Sequence, residues 1–438
     1  MPLFVRLMTT EEIGEFVNFT TWIALLVPVL TLSLDSSVPV AKLEFKEKIN
    51  DYISSVLVLG TAVTAAIYLL SLFFGDALKS KLNFDSFQLH IMFIFMLTAP
   101  SLSMLQIKSR LDYKYKLSAA LSLLSVVVST LTALLAVVIS EDKVKGRILG
   151  FYLPMIILDS VIYVFFLIRS RSVNRSYWKY GVLISAPLAL HAIAGSVLNS
   201  FDKIMINSMV GDSETALYGV AYSGASLVQL LWYSLNQAWA PWAYEQMDKN
   251  NGEKLKKASR IYILLFSMIV LVFMLLAPEL LWIIGGKTYS QALDVMPPVM
   301  CGFVYLLVYS LYVNIETLEK KTGYVAVGTV TAALVNIVLN YIFIPRFGYV
   351  AAAYTTLAGY ILLFVMHFVF VRHIGKTYWY DSRYNFIFLF VFTLISLLMT
   401  FVYKITVLRY VIIAAAAILI ITVLLKHKDE LLKKLKHF

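Results

Sequence analysis

The chain has 438 residues, of which 60% are hydrophobic and only 14% charged, and its mean hydropathy is +0.80. This composition excludes a soluble globular protein. The net charge of +11 does not indicate a nucleic-acid-binding protein, because the basic residues lie in short loops and not in a patch interleaved with aromatic residues. The composition is that of an integral membrane protein.

Apolar stretches of about 20 residues, the length that crosses a bilayer as a helix, follow one another along the chain. Because the bilayer leaves backbone polar groups only intrahelical partners, we predict an all-α polytopic membrane protein. The sequence predicts about thirteen transmembrane helices, at residues 15–34, 51–74, 84–105, 118–140, 148–168, 180–201, 216–238, 261–283, 291–313, 324–344, 349–371, 385–403 and 407–425.

Most of the 37 lysines and arginines fall in alternate loops, for example at residues 42–48, 108–116 and 249–260. The positive-inside rule assigns these loops to the cytoplasm. The C-terminal tail KHKDELLKKLKHF is then cytoplasmic, either as a solvated basic end or as an amphipathic interfacial helix. Because thirteen is odd, the N-terminus is predicted to lie outside.

An internal repeat emerges when the chain is shifted against itself by 202 residues. The shift aligns TTEEIGEFVNF at 9–19 with GDSETALYGVA at 211–221, although identity is low and chance similarity is the alternative. Parallel repeats of this kind are a transporter architecture. In the second copy a span precedes the aligned loop. The first copy therefore predicts either a span encoded upstream of Met1 or a protein that works with thirteen helices.

Ionisable side chains inside spans cost at least about 2.5 kcal/mol each on insertion scales, so each is a functional candidate. Asp159, in the middle of its span, is a protonatable or cation-binding carboxylate or a neutral acid paired with a neighbouring helix. His191, also mid-span, is a proton relay or a histidine hydrogen-bonded between helices. We predict Asp159 and His191 as ion-coupling candidates, and His90 and His367, nearer their span ends, as weaker ones.

The stretch LNSFDKIMINSM closes the sixth predicted span with Asp202 and Lys203. A lysine that faces a cavity would attract an anionic substrate, whereas a lysine that snorkels to the interface would not. Two asparagines flank Lys203: Asn199 lies four residues before it, and Asn207, directly after Ile206, lies four residues after it. They add neutral hydrogen-bonding groups on either side of the lysine.

Polar and aromatic side chains also mark the seventh predicted span. Gln237 and Trp239 are candidate sugar contacts, because amides hydrogen-bond to hydroxyls and indole rings stack on sugar rings. Hydrogen bonding between helices and an interfacial aromatic belt are the alternatives.

The sequence contains no P-loop, HExxH or GxSxG motif, no Cys/His cluster with metal-ligand spacing, and one cysteine, Cys301. No predicted loop is long enough for an extracytoplasmic catalytic domain. We therefore predict that the protein is not an enzyme and uses no metal and no cofactor.

Three stretches resemble the polysaccharide transport family, the O-antigen and lipid-linked oligosaccharide flippases of the MOP (MATE-like) exporter superfamily. VLNSFDKIMINSMVGDSETALYGVAYSGASLVQLL resembles the family's seventh and eighth helices. NIETLEKKTGYVAVGTVTAALVNIVLNYIFIPRFGYVAAAYTTLAGY resembles its Lys-Thr loop, its Asn-x-x-Leu-Asn helix (Asn336, Asn340) and its Ile-Pro-x-x-Gly turn. RLMTTEEIGEF resembles the loop after its first helix, which has no counterpart here, and Ala216 stands where the family usually has Gly.

The resemblance implies two pseudo-symmetric helical lobes around a central cavity. The N-lobe would be residues 1–175 with about five spans, and the C-lobe residues 176–371 with about six. Residues 372–438 would hold two additional spans and the basic tail. The family has twelve to fourteen transmembrane helices, and its first helix is the one without a counterpart in this chain.

The implied function is a flippase that moves a polyprenyl-diphosphate-linked oligosaccharide, such as an O-antigen repeat unit, to the outer leaflet of the bacterial inner membrane. The resemblance implies alternating access, coupling to an ion or to the membrane potential, and a polysaccharide polymerase and chain-length regulator as partners. It places Arg6, Lys42 and Lys203 on the anionic headgroup, with Asp35 and Asp202 to orient them.

Three other functions remain open. A MATE-like multidrug or metabolite cation antiporter would share the scaffold, because fold does not determine function. A membrane enzyme of polysaccharide assembly, a polymerase or ligase, would need a large extracytoplasmic loop. A passive scaffold subunit would tolerate loss of Asp159 and Lys203.

Overall fold

The computed structural model describes residues 1–170 and 173–415. These residues form α-helices joined by short loops and 3-10 segments, and no β-strand occurs among them. The prediction of an all-α membrane protein is confirmed.

The helices up to residue 170 are α1 (Phe4–Leu7), α2 (Thr10–Leu30), α3 (Val38–Phe45), α4 (Ile49–Phe73), α5 (Gly75–Leu82), α6 (Ser86–Thr98), α7 (Pro100–Leu111), α8 (Tyr115–Ile139) and α9 (Lys143–Arg169). The helices from residue 173 onward are α10 (Arg175–Met209), α11 (Asp212–Ala225), α12 (Leu227–Asp248), α13 (Gly252–Leu275), α14 (Ala277–Gly285), α15 (Met296–Leu318), α16 (Thr322–Phe347), α17 (Tyr349–Ile374), α18 (Ser382–Lys404) and α19 (Thr406–Ala415).

Ten helical segments among the described residues are long and apolar enough to cross a bilayer. The sixth and seventh predicted spans coincide with α10 and with the pair α11 and α12. Of the thirteenth predicted span, α19 lies within the described residues. The remainder of that span and the basic tail, residues 416–438, lie outside them.

Two predicted spans are displaced in the structure. The sequence predicts a span at 261–283, but α13 ends at Leu275 and the separate helix α14 begins at Ala277. Pro278 lies in the first turn of α14, and because proline lacks an amide N–H and crowds the preceding turn, the helix ends there. The following helix, α15, begins at Met296 and not at residue 291, because the 3-10 segment Lys287–Val295 precedes it.

The long helices alternate in direction, so the loops after α3, α7, α9, α12, α15 and α17 share one face. We call it the basic face, because it holds most lysines and arginines of the described loops. Ion pairs join these loops: Lys42 lies 2.6 Å from Asp112, and Lys376 lies 3.2 Å from Glu319. At the opposite face, the Lys143 ammonium donates to the main chain of α1 at 2.6 Å.

The helices pack into two lobes. In the N-lobe, α9 packs on α4, α6 and α8, and in the C-lobe, α17 packs on α15 and α16 while α10 packs on α16. The lobes meet where α2 runs along α10 and α11. At the basic face, α10 also reaches the N-lobe, where the Tyr180 hydroxyl donates to Glu44 at 2.6 Å.

Helix α15 forms the centre of the C-lobe. The apolar window of the segment Lys287–Leu318 is 89% buried, compared with 22% for Tyr115–Ile139 in the N-lobe. A helix that is apolar on all sides belongs in the interior of a bundle, whereas α8 presents most of its surface to lipid.

Candidate functional site

The lobes meet along a seam, which we define as the contact of α2 with α10 and α11. The motif TTEE forms the N-terminus of α2 at one end of this seam. The Thr9 side chain accepts from the Glu12 N–H at 3.3 Å, and the Glu12 carboxylate accepts from the Thr9 N–H at 2.7 Å. This capping box satisfies two amides that a helix N-terminus leaves unpaired. It begins α2 at the opposite face, beside α11.

Helices α2 and α11 approach each other very closely at this point. The Ser213 hydroxyl donates to the Glu11 carboxylate at 2.7 Å, and the two residues are 202 positions apart. A Cβ atom on Gly14 would stand 1.8 Å from the Asp212 carbonyl oxygen, so only glycine permits the approach. These are the contacts expected where two copies related by an axis along the membrane normal meet at that axis.

A polar cavity of about 280 Å³ lies beside this seam and is lined by both lobes. The N-lobe contributes Asn18 and Lys81, and the C-lobe contributes Asn207. The Asn207 amide donates to the Asp212 carboxylate at 2.5 Å, while the side-chain oxygen of Asn18 has no hydrogen-bond partner. The cavity can therefore accept a polar ligand.

Asp202 lies in the interior of the C-lobe and is fully buried. Its carboxylate accepts hydrogen bonds from the Tyr218 hydroxyl, from the Thr356 hydroxyl at 3.5 Å and from the Lys203 backbone N–H at 2.8 Å. The carboxylate thus holds the main chain of Lys203, and it forms no direct ion pair with an ammonium or guanidinium group among the described residues.

The hydrogen-bond network continues through the two asparagines of the Asn-x-x-Leu-Asn motif. Asn336 donates to the Thr356 hydroxyl at 3.4 Å, Asn340 donates to Asn336 at 3.2 Å, and the Thr355 hydroxyl donates to Asn340. A spacing of four places both asparagines on one face of α16. A buried network of this kind links α10, α16 and α17 rigidly.

Lys203 also lies inside the C-lobe, where it forms no direct ion pair among the described residues but interacts electrostatically with the neighbouring Asp202 carboxylate. Its ammonium lies 4.4 Å from the centroid of the Tyr222 ring, a cation–π contact. Asn199, Lys203 and Asn207 are spaced by four on α10 and form one stripe. The stripe leads from Tyr360 in the C-lobe, whose hydroxyl donates to Asn199 at 2.5 Å, to the polar cavity at the seam.

A second group of charges lies at the basic face of the N-lobe. Lys42 and Lys108 converge on Asp112 at 2.6 Å and 3.7 Å, beside a cavity of about 340 Å³ that Lys46 also lines. Burial acts to raise the pKa of Asp112, but the hydrogen bond and charge of Lys42 outweigh it and lower that pKa. Asp112 therefore stays ionised and neutralises part of this basic group.

Asp35 lies near this group, in the 3-10 segment Leu34–Ser37. Its carboxylate accepts from the Ser103 hydroxyl at 2.7 Å and so joins the segment to α7. The backbone before it is unusual, because Leu32 and Ser33 both have positive φ angles, of 54° and 45°. The chain thus turns sharply between α2 and α3.

The other predicted residues are placed apart from these groups. Arg6 is exposed at the opposite face and donates to the Pro2 carbonyl at 2.9 Å. Asp159 is 3% exposed in the N-lobe, and one of its carboxylate oxygens has no hydrogen-bond partner. His191 lies in α10, but its side chain is outside the described part of the structure.

The two sugar-contact candidates occupy different surroundings on α12. Gln237 is exposed. Trp239 is buried and stacks on Tyr262, with 4.6 Å between the ring centroids and 13° between the planes. The indole ring thus packs within the C-lobe.

His367 forms a buried acid–base pair in the C-lobe. The sequence indicates His367 as a weaker candidate but does not identify its acidic partner. His367 Nδ1 lies 2.9 Å from both carboxylate oxygens of Glu316, and neither side chain is exposed. The Tyr309 ring stacks on the imidazole at 5.3 Å. The sequence predicts that this span ends at residue 313, which leaves Glu316 in a loop, whereas α15 extends to Leu318 and buries it.

Comparisons with known proteins agree with this architecture. The family model described as polysaccharide biosynthesis protein matches residues 1–247, and the MatE model matches residues 187–342. Among curated proteins, none matches the sequence significantly.

Solved structures share the fold at low sequence identity. The lipid II flippase MurJ in an inward closed conformation is similar with a TM-score of 0.65 and 16% identity, over 96% of this chain and 97% of that one. An inward-facing multidrug resistance MATE family transporter of the MOP superfamily is similar with a TM-score of 0.63 and 14% identity, over 86% of this chain and 95% of that one. An outward-facing MATE family transporter is similar with a TM-score of 0.55 and 14% identity, over 85% of this chain and 89% of that one.

These matches confirm the resemblance to the MOP superfamily and the two-lobed membrane fold. The matched family model covers more than half of the chain. The chain belongs to the polysaccharide biosynthesis protein family.

Proposed function

We propose that this protein is a flippase for a polyprenyl-diphosphate-linked oligosaccharide, such as an O-antigen or other surface-polysaccharide repeat unit. It would act in the bacterial inner membrane, with the basic face and the C-terminus in the cytoplasm. The observation that carries the proposal is the stripe of Asn199, Lys203 and Asn207, which leads to a polar cavity between the lobes.

The chemistry of the substrate fits this stripe. Moving a diphosphate across hydrocarbon requires cationic and hydrogen-bonding groups along the path, whereas the polyprenyl tail can remain in the bilayer. An ammonium that is not held in a direct ion pair can donate to an anion, and a phosphate accepts charge-assisted hydrogen bonds from it. Lys203 is such an ammonium, and the flanking amides can bind sugar hydroxyls or phosphate oxygens.

The basic groups at the two faces extend the path. Lys42, oriented through Asp112 and the neighbouring Asp35 segment, would meet the headgroup at the basic face. Lys203 would hold it within the protein, and Arg6 would meet it at the opposite face. Gln237 and Trp239 remain proposed sugar contacts, and Asp159 and His191 remain proposed coupling groups.

Alternating access would occur between an N-lobe of residues 1–175 and a C-lobe of residues 176–371. Opening the opposite face requires α2 and α11 to separate, which breaks the hydrogen bond between Glu11 and Ser213. It also breaks the contact of 3.5 Å between the amides of Asn83 and Asn207. Both bonds lie between polar side chains that water can solvate, so separation costs little hydrogen-bonding energy.

A cation antiporter is the second candidate function. The buried carboxylate of Asp202, surrounded by hydroxyl and amide groups, favours it, because an organic cation or a proton could bind there. A membrane enzyme of polysaccharide assembly has no comparable support.

Complementation of a bacterial strain that lacks its O-antigen flippase tests the proposal. We expect the protein to clear the lipid-linked glycan that accumulates on the cytoplasmic side and to restore surface polysaccharide together with a polymerase and chain-length regulator. Glycan that stays inside, although the protein is present in the membrane, would contradict the flippase. Resistance to organic cations in the same cells would favour the antiporter.

A further inference from the structure

A second cationic cavity, of about 790 Å³, opens at the basic face of the C-lobe. It is formed by the start of α13, the end of α17, the 3-10 segment Thr377–Trp379 and the start of α18. The seam between the lobes takes no part in it. We call this cavity the C-lobe cleft.

The charges of the C-lobe cleft do not balance. Four basic residues line it: Lys256, Lys257, Arg260 and Arg372. Against them stand two acidic residues, Glu253 and Asp381. The cleft therefore has a net positive charge.

Both acidic residues are already engaged. Asp381 forms an ion pair with Arg260, and its carboxylate also accepts the Tyr384 N–H at 3.0 Å as the N-cap of α18. These two contacts, the cap first and then Arg260, lower the pKa of Asp381, so that it stays ionised. Glu253 lies 3.6 Å from Lys256.

Lys257 and Arg372 are the two remaining cations. Both are exposed, and neither has a carboxylate within ion-pairing distance among the described residues. They approach the cleft from different helices, α13 and α17. A lysine and an arginine that line one cleft from two helices suit a phosphate group, because one supplies a point charge and the other a planar pair of donors.

The surroundings of the cleft are those of a membrane surface. Phe368, one turn before Arg372, forms an apolar part of the wall, and Tyr378 and Tyr380 add aromatic rings. Further along the same spans, Val369 and Phe386 are exposed, as expected of a lipid-facing surface. The cleft thus lies where the spans end, at the depth of lipid headgroups.

We propose that the C-lobe cleft binds the phosphate of an anionic phospholipid, with Lys257 and Arg372 as its contacts and the acyl chains on the adjacent apolar surface. Basic pockets between transmembrane helices recognise anionic headgroups in this way. A bound lipid would bridge α13, α17 and α18. This site is independent of the proposed transport path and would serve a flippase or an antiporter equally.

The test is native mass spectrometry of the purified full chain with phosphatidylglycerol, and with phosphatidylcholine as the neutral lipid. We expect the wild-type protein to retain phosphatidylglycerol selectively. The double variant Lys257→Ala, Arg372→Ala should bind it at least about tenfold more weakly, because each nearby Lys or Arg contributes roughly fivefold. The matched control Lys114→Ala, Lys116→Ala, two exposed lysines of the same face on the N-lobe, should bind as the wild type does.

Several results would overturn the proposal. Equal retention of phosphatidylcholine, or unchanged retention by the double variant, would show that the cleft does not select anionic lipid. Competition by inorganic phosphate at the same concentration would show that the lipid is not required. Displacement by polyprenyl diphosphate at much lower concentration would assign the cleft to the transported lipid instead.

Folding of the variants is checked separately. Their unfolding temperature in detergent without added lipid should equal that of the wild type. The charge reversal Lys257→Glu provides a second variant, and it should lose phosphatidylglycerol even if the double variant is poorly folded.

Discussion

Lys203 is the residue on which the transport proposal depends most directly. Lys203→Ala removes the ammonium that contacts Tyr222 and should lower export of surface polysaccharide at least about tenfold, because the headgroup loses a charge-assisted contact. Lys203→Arg retains the charge and the cation–π contact and should preserve most of the activity. The measurement is the level of cytoplasmic lipid-linked glycan in the complemented strain. Normal export by the alanine variant would remove Lys203 from the transport path.

His367 illustrates a buried residue whose loss affects stability. His367→Ala leaves the Glu316 carboxylate buried without its partner, and breaking a buried pair on one side costs about 3–5 kcal/mol. We expect a clearly lower unfolding temperature in detergent. His373→Ala, an exposed position on the same helix, is the control and should unfold as the wild type does. Equal unfolding temperatures for both variants would show that the pair contributes no stability.

At the scale of elements, the contact of α2 with α11 depends on a single glycine. Gly14→Ala places a Cβ atom 1.8 Å from the Asp212 carbonyl oxygen, so the two helices must move apart at the opposite face. Disulfide formation between Glu11→Cys and Ser213→Cys measures this separation and should be reduced by Gly14→Ala. Gly195→Ala in α10 has no atom within 4 Å of the added Cβ and should leave crosslinking unchanged. Undiminished crosslinking in the Gly14 variant would disprove the close contact.

Helix α19 is attached to α14 through Glu279, which accepts hydrogen bonds from Arg409 and, at 2.7 Å, from the Tyr410 hydroxyl. The Arg409 guanidinium donates to both carboxylate oxygens of Glu279 at 2.5 Å and to the Leu275 carbonyl at 2.8 Å. The hydrogen bonds from Arg409 lower the pKa of Glu279 to about 2. The stabilisation is therefore complete above the ordinary pKa of a glutamate, near 4.5, and is lost only as the pH falls towards about 2.

This pair predicts a local effect of mutation. Arg409→Leu should increase amide hydrogen exchange in α14 and α19 at neutral pH, whereas the wild type should show the same low exchange, corrected for intrinsic rates, from about pH 5 to 8. Lys404→Leu, at the end of α18, serves as the control. Unchanged protection in the Arg409 variant would mean that the Tyr410 hydrogen bond and apolar packing suffice to hold α19.

At the scale of the whole molecule, the alternation of basic loops predicts the orientation in the membrane. The two ends of α8 test it, with Lys114→Cys at the basic face and Glu141→Cys at the opposite face. In intact cells, a membrane-impermeant maleimide should label the cysteine at 141 and not the one at 114. The native Cys301 is buried and should contribute little background. The reverse labelling pattern would invert the proposed orientation.

Much of the fold follows from local features of the sequence. The helical class and most spans are evident from apolar length, because a bilayer admits few alternatives for the backbone. The shift by 202 residues pairs the helix starts that meet at the seam. The span ends were less predictable: Pro278 divides one apolar run, and α15 extends to bury Glu316, which hydropathy alone does not distinguish from a loop residue.

The residues of the candidate site show the same division. The sequence by itself determined that Asp202 and Lys203 are costly polar groups at the end of a span, because transfer from water to hydrocarbon penalises charge wherever the helix is placed. Only the tertiary structure decided that Asp202 holds a hydrogen-bond network inside the C-lobe, while the Lys203 ammonium lies on the Tyr222 ring and forms no direct ion pair among the described residues. It likewise brought Glu316 to His367 and placed Lys257 and Arg372 along one cleft. These partners lie on different helices, and the direction in which each helix presents its side chains is set by packing between helices, which local sequence does not encode.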